Sequence, residues 1–194
     1  MWRSRILAAC APLLLLATLA HADIEGDRYV SPTWRVRITA PKNWQLTDKT
    51  AYPSVLLRMV RRAPEGKILL TAERLPAGTD ALTYASKTIE LLRGMQFNVR
   101  APQLHSSTGA YYVDAQRPGT FLRQAYLVAG GFGYSLTLAA PDHRTRTQHL
   151  RAFEFALRSI TILRADEVPP PQPAAPADGP APPDEDQTPG ASPK

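Results

Sequence analysis

The side chains of this chain that could catalyse a reaction or bind a metal are few and widely spaced. Outside the N-terminal segment the histidines are His105, His143 and His149. Six residues separate His143 from His149, and neither has a carboxylate one helical turn away. Histidines that bind zinc from a single helix are spaced by about four residues. We therefore expect no metal site and no cofactor site.

The remaining motifs also indicate structural roles. Asp142 precedes His143 at the start of a predicted helix, as an N-cap does. Ser135 stands in Gly133-Tyr134-Ser135-Leu136-Thr137, which lacks the second glycine of a nucleophile elbow. Gly130-Gly131-Phe132-Gly133 lacks the lysine of a phosphate loop and predicts a hairpin turn. We expect no catalytic residue, unless distant histidines and acids meet in a cleft.

One constellation has the residue types of a binding surface. Arg144, Arg151 and Arg158 follow one another at intervals of seven residues, which places them within about 40° on a helical wheel. Phe155 falls beside them. We call Arg144, Arg151, Phe155 and Arg158 the arginine stripe. Either Phe155 packs under the chain ends or the arginine stems, or it is the anchor of an interaction surface.

The N-terminus, residues 1–22, has the pattern of an export signal. Arg3 and Arg5 precede an apolar run, Ile6–Ala20, and Ala20-His21-Ala22 matches the cleavage pattern of signal peptidase. We expect a periplasmic or secreted protein. Lipidation at Cys10 and a retained N-terminal anchor are the alternatives. Cys10 is the only cysteine, so a protein cleaved after Ala22 has neither a disulfide nor a thiol nucleophile.

Charge and composition divide the rest of the chain into a domain, 23–164, and a tail, 165–194. The tail is rich in proline and acidic residues, carries a net charge of −5, and is predicted to be disordered. The chain carries +6, and the leader contributes its two arginines, so the domain carries +9. The first interpretation of that excess is a solvated, soluble surface, and the second is attraction to anionic lipids or an acidic protein surface. Nucleic acid is not expected, because the chain has an export signal and no recognisable nucleic-acid-binding motif.

The domain has the residue pattern of short strands linked by tight turns. In Trp34–Thr39, apolar residues alternate with polar ones, which is typical of a half-buried strand. Further strands are predicted over Val55–Arg61, Lys67–Leu75, Ala110–Ala115, Thr120–Ala129 and Phe132–Ala139. Turn residues separate consecutive strands, so an antiparallel arrangement is expected.

Two helices are predicted among these strands. The first has Thr79 or Asp80 as its cap and Gly94 as its stop signal, and the second runs from Asp142 to about Ser159. On the first helix the expected core residues are Leu82, Ala85, Ile89 and Leu92, and Tyr84, Leu91 and Met95 widen this apolar face. On the second helix they are Leu150, Phe153 and Leu157. The fold class is therefore α+β, a mainly antiparallel sheet with helices packed on it.

The order of these elements, with two short motifs, resembles the PsbP-like superfamily. The motifs are Ala40-Pro41-Lys42-Asn43-Trp44 after the first strand and Phe155-Ala156-Leu157-Arg158-Ser159-Ile160 at the end of the last helix. The superfamily includes the photosystem II extrinsic protein and the bacterial DcrB-type periplasmic proteins, and the bacterial branch fits better. The resemblance spans roughly residues 29–163. It implies an α/β/α sandwich that serves as a non-enzymatic binding or assembly module, and it transfers no functional residue.

Two binding functions and one enzymatic function remain. The preferred hypothesis is an exported, non-catalytic module of the bacterial cell envelope that docks to a protein partner. The first alternative is recognition of an anionic lipid surface or a small ligand by the basic domain, for example in a pocket between the sheet and a helix. The second is an uncharacterised enzyme.

Overall fold

The computed structural model describes residues 22–50 and 54–167. Its strands are β1 (Asp23–Glu25), β2 (Arg28–Ser31), β3 (Val36–Thr39), β4 (Gln45–Thr47), β5 (Val55–Arg62), β6 (Glu65–Arg74), β7 (Asn98–Val99), β8 (Gln103–Leu104), β9 (Tyr111–Arg117), β10 (Thr120–Ala129), β11 (Phe132–Ala140) and β12 (Thr161–Ile162). Its helices are α1 (Ala81–Gly94) and α2 (His143–Ser159), with a 3-10 turn over Ala165–Glu167. The α+β class is confirmed.

Most of the predicted leader and tail lies outside the described residues. Only Ala22 of the leader and Ala165–Glu167 of the tail fall within them. Among the residues that the structure describes, neither helix is long and apolar enough to cross a membrane.

The larger sheet has eight strands in the order β4-β5-β6-β11-β10-β9-β7, and β8 also pairs with β9. All of its strand pairs are antiparallel. Gly130 and Gly131 form the two-residue loop between β10 and β11, with φ of 58° and 80°. Left-handed backbone at both positions matches the twist of the hairpin, so glycine suits both. The predicted hairpin turn is confirmed.

The two helices lie on opposite faces of this sheet. On β10, Ala125 belongs to the apolar core that contains Phe153 of α2. Its neighbour Tyr126 belongs to a second core, which contains Ile89 of α1. Because successive strand residues point to opposite faces, α2 covers one face and α1 covers the other.

A small sheet of four strands, in the order β1-β2-β3-β12, packs beside α2. The hydroxyl of Ser159, at the end of α2, lies within hydrogen-bond distance of two carbonyls, that of Ala156 at 2.7 Å and that of Thr39 at 3.1 Å. The same hydroxyl oxygen accepts from the Thr39 amide at 3.0 Å. The Tyr134 hydroxyl of the larger sheet donates to the carbonyl of Trp34 at 2.8 Å. These bonds fix the C-terminal end of α2 between the two sheets.

Asp80 and Asp142 cap the two helices, as predicted. The Asp80 carboxylate accepts from the Thr83 amide at 2.7 Å, and Asp142 accepts from the Thr145 amide at 2.7 Å. The predicted stop at Gly94 is wrong in detail. Gly94 is still helical, and the left-handed residue after the helix is Gln96, with φ of 64°.

The end of α1 is a Schellman motif. The amide of Phe97 donates to the Leu92 carbonyl at 3.0 Å, and the amide of Gln96 donates to the Arg93 carbonyl at 2.9 Å. Phe97 and Leu92 are buried in the same apolar core, which is the hydrophobic contact typical of this motif. Packing of Phe97 therefore fixes where the helix ends.

Some predicted core positions are wrong. Leu82, Leu91 and Met95 are exposed, because the face of α1 that meets the sheet is formed by other residues, namely Tyr84, Ala85, Ile89 and Leu92. On α2, Leu150 is only half-buried. The strand predicted from Trp34 begins at Val36, because the Arg35 amide closes a turn onto the Pro32 carbonyl and Arg35 has a φ of 48°.

Candidate functional site

The arginine stripe lies on the outer face of α2. The buried residues of this helix are His149, Phe153, Ala156 and Leu157. Arg144, Arg151 and Arg158 are exposed on the side away from them. Phe155 has 47% of its surface accessible, whereas Phe153, two residues earlier, has 0%. The structure thus places the four predicted residues along one exposed face of α2, about 16 Å of helix separating Arg144 from Phe155, with the aromatic ring open to solvent.

The arginines of the stripe make no ion pair within the described residues, although the hydrogen bonds from Thr145, and with them the charge of Arg144, lower the pKa of Asp142. Among the described residues, none of the three guanidinium groups makes a hydrogen bond or an ion pair. Their side chains are therefore available to a carboxylate or phosphate on another molecule.

Beneath one flank of α2, charged residues form a second constellation, which we call the anchor cluster. Its members are Tyr112, Asp114, Arg123, Arg146 and Glu154, and their charged side chains are between 15% and 23% exposed. Arg123 donates to both carboxylate oxygens of Asp114, at 2.8 Å from Nε and 2.7 Å from a terminal nitrogen. Arg146 of α2 lies 3.2 Å from the same carboxylate. The cluster therefore connects α2 to β9 and β10.

Glu154 provides a second connection between α2 and the sheet. Its carboxylate accepts a 2.6 Å hydrogen bond from the Tyr112 hydroxyl. His105 lies 3.5 Å from the same oxygen, and its ring stacks against Tyr112 with centroids 4.9 Å apart. These contacts hold α2 in a fixed rotation, so the stripe faces outward on a rigid helix.

The pKa shifts in the cluster have clear causes. Burial would raise the pKa of Asp114, but hydrogen bonds from Arg123 and the charges of Arg123, Arg146 and Arg100 outweigh it and lower that pKa. Burial raises the pKa of Tyr112 well above its usual value, and the hydrogen bond to Glu154 adds to the effect. Asp114 therefore stays ionised at neutral pH and Tyr112 stays neutral.

The groups first considered for catalysis lie apart. His105 contacts the anchor cluster, whereas His143 lies exposed at the start of α2 beside Phe121. His149 is fully buried, and its Nε2 donates to the Glu65 carbonyl at 2.9 Å. Ser135 lies within β11 and is 6% exposed. Within residues 22–50 and 54–167, no three side chains of the metal-binding types come close enough to hold an ion.

The anchor cluster was not predicted from the sequence. Part of the cluster could have been predicted from the sequence, because the Arg117–Thr120 turn fixes a register in which Asp114 lies opposite Arg123. The contributions of Arg146 and Glu154 depend on how α2 crosses the sheet. No sequence periodicity specifies that crossing.

No protein-family model matches the chain, and comparison with curated proteins finds no similar sequence. Its fold is similar to that of the Ran-binding protein Mog1p of Saccharomyces cerevisiae, with a TM-score of 0.50, 7% identity, and coverage of 70% of this chain and 94% of that one.

Two further solved structures match with lower TM-scores. Cyanobacterial PsbP (CyanoP) from Synechocystis sp. PCC 6803 has a TM-score of 0.48 and 13% identity over 80% of this chain and 98% of its own. LpqN, involved in cell envelope biogenesis of Mycobacterium tuberculosis, has a TM-score of 0.46 and 15% identity, and the match covers 66% of this chain and 83% of LpqN. At such identities the likenesses concern the fold alone, so membership of the PsbP-like superfamily stays a prediction.

Proposed function

We propose that this chain is an exported, non-catalytic binding module of the bacterial cell envelope that docks to an acidic surface of a protein partner. The contact surface is the arginine stripe. The observation that carries the proposal is the exposure of Phe155 on one helix face with three arginines, none of which makes an ion pair among the described residues.

The composition of the stripe favours a protein partner over a diffuse anionic surface. Arginine and aromatic residues are enriched at the energetic centres of protein interfaces. Burial of Phe155 in the interface removes an apolar ring from water, and the arginines pair with carboxylates of the partner at the rim of the interface. Because the anchor cluster already fixes α2, docking orders little backbone, and the entropic cost falls on the arginine side chains.

The compartment follows from the sequence pattern of the leader. An apolar run with a terminal Ala20-His21-Ala22 supports export, and an envelope protein is then the accessible partner. The superfamily resemblance supports a binding module rather than an enzyme.

Replacement of Phe155 by Ala together with Arg151 by Glu tests the proposal. Truncation of an interface anchor costs at least about 2 kcal/mol, and reversal of one charge adds to it, so partner affinity should fall by roughly 30-fold or more. The measurement is crosslinking in cells of the tagged full-length protein, followed by mass spectrometry of the captured proteins.

The matched control is Leu91→Ala with Arg93→Glu on α1. It also removes one exposed apolar side chain and reverses one exposed arginine. The control should still capture the partner. The wild type, F155A/R151E and L91A/R93E should have melting temperatures within about 3 °C of one another. Capture of the same protein in equal yield by F155A/R151E would contradict the proposal.

A further inference from the structure

The face of the larger sheet opposite α2 is only partly covered. Helix α1 packs on β7, β9 and β10, whose residues form its core. On β5 and β6 the same face carries Val60 and Leu69, which are half-buried, and Arg58 and Lys67, which are exposed. At the sheet edge formed by β4 and β5 there is an open hollow of about 540 Å³. Its polar lining residues are Gln45, Thr47, Arg58, Arg61, Arg62 and Glu65.

The strand register gathers cations around one point of this hollow. Val60 lies directly opposite Lys67 on β6 and opposite Gln45 on β4. Arg58 and Arg62 stand two residues on either side of Val60, so their side chains leave the same face of the sheet. Directly opposed side chains are about 5 Å apart at Cβ, and diagonal neighbours are about 7–8 Å apart. Arg58 and Arg62 thus flank the half-buried Val60 within the hollow, and Lys67 lies beside Val60 without lining the hollow itself.

These cations are poorly neutralised. Neither the Arg58 nor the Arg62 guanidinium makes a hydrogen bond or an ion pair within the described residues. Arg61 donates from Nε to the Ala63 carbonyl, which carries no net charge. Glu65 is the one acidic residue among those that line the hollow, and its carboxylate forms an exposed ion pair with Lys67 at 3.6 Å. Exposed pairs of this kind contribute little, so the hollow keeps an excess of positive charge.

We propose that this hollow is a binding site for a phosphate-bearing ligand. Guanidinium groups match phosphate oxygens in two-point hydrogen bonds, and a bound phosphate relieves the repulsion among the cations. The volume lies within the range of small-molecule sites, about 300–1,000 Å³. No large exposed apolar side chain lines the hollow, so a charged group is the feature it can recognise.

The site is independent of the arginine stripe, because the stripe belongs to α2 on the other face of the sheet. It also differs from the expected pocket between the sheet and a helix, since its lining residues come from β4, β5 and β6. Two sources supply the same chemistry, namely a soluble phosphorylated compound and the phosphate of a lipid headgroup.

Two binding measurements test the site and separate these sources. The protein is purified as the cell processes it, in phosphate-free buffer. One arm titrates it with inorganic pyrophosphate in a calorimeter. The other measures co-sedimentation with phosphatidylcholine vesicles, with and without phosphatidylglycerol. The test variant is Arg58→Gln with Arg62→Gln, and the control with the same loss of charge is Lys87→Gln with Arg93→Gln on α1.

Binding in either arm should weaken by about tenfold or more in R58Q/R62Q, and it should be unchanged in K87Q/R93Q. Binding of pyrophosphate alone assigns a soluble ligand, and binding only to the anionic vesicles assigns a headgroup. Both substituted arginines are exposed and unpaired within the described residues, so melting temperatures should not change. No binding in either arm, equal weakening in both variants, or full binding by R58Q/R62Q would overturn the proposal.

Discussion

Replacement of Phe153 by Ala is expected to lower the free energy of unfolding by about 3–5 kcal/mol. Phe153 is fully buried, and its ring lies against Tyr112 with centroids 6.2 Å apart. Truncation removes apolar contacts and leaves a cavity between α2 and the sheet. A loss of this size is a large share of the roughly 5–15 kcal/mol that stabilises a typical domain.

Phe155→Ala provides the control for this prediction within the same helix. Phe155 is 47% exposed, so its truncation should cost less than about 1 kcal/mol. Urea unfolding, followed by circular dichroism, measures both variants. Equal losses for F153A and F155A would show that Phe155 is a core residue, and the arginine stripe would then lose its anchor.

Replacement of Asp114 by Asn is expected to lower the free energy of unfolding at neutral pH by about 2–3 kcal/mol. Asparagine has nearly the same shape but no charge. Both Arg123 and Arg146 contact the Asp114 carboxylate. Without it, Arg146 would remain partly buried with no counter-charge, and Arg123 would keep only Glu154, 3.9 Å away.

The effect of Asp114→Asn should depend on pH in a defined direction. The pKa of Asp114 is lower in the folded protein than its usual value of about 3.8, so its stabilising contribution is complete above that value. The contribution disappears as the pH falls through the folded pKa, because a protonated Asp114 resembles asparagine. The difference in stability between wild type and D114N should therefore shrink below about pH 4. A difference that stays constant between neutral and acidic pH would contradict this role for the cluster.

The long elements of the fold were predictable because local signals specify them. The hairpin β10–β11 has Gly130-Gly131 at its turn, and both helices begin at an aspartate cap. The small sheet was not predictable in this way. Only β3 was predicted, from the alternation over Trp34–Thr39. Its neighbours β2 and β12, and the edge strand β1, have two to four residues and are too short to show a period.

The arginine stripe was predictable as a set of residues, since the seven-residue spacing and the helix cap are both readable from the sequence. The hollow on β5 was not. The sequence shows that Arg58 and Arg62 are on one face of a strand, but only the placement of α1 over β7, β9 and β10 shows that this face is open. Tertiary packing, and not a motif, creates that surface.

Docking through the outer face of α2 is tested most directly in living cells by a photo-crosslinking derivative of phenylalanine at position 155, which keeps the aromatic ring of the anchor. The proposal predicts a discrete adduct with one envelope protein, and the adduct should disappear when Arg151 and Arg158 are replaced by Glu. The same crosslinker at position 91, on α1, should give no such adduct. Absence of an adduct from position 155, or the same adduct from both positions, would contradict docking through the arginine stripe.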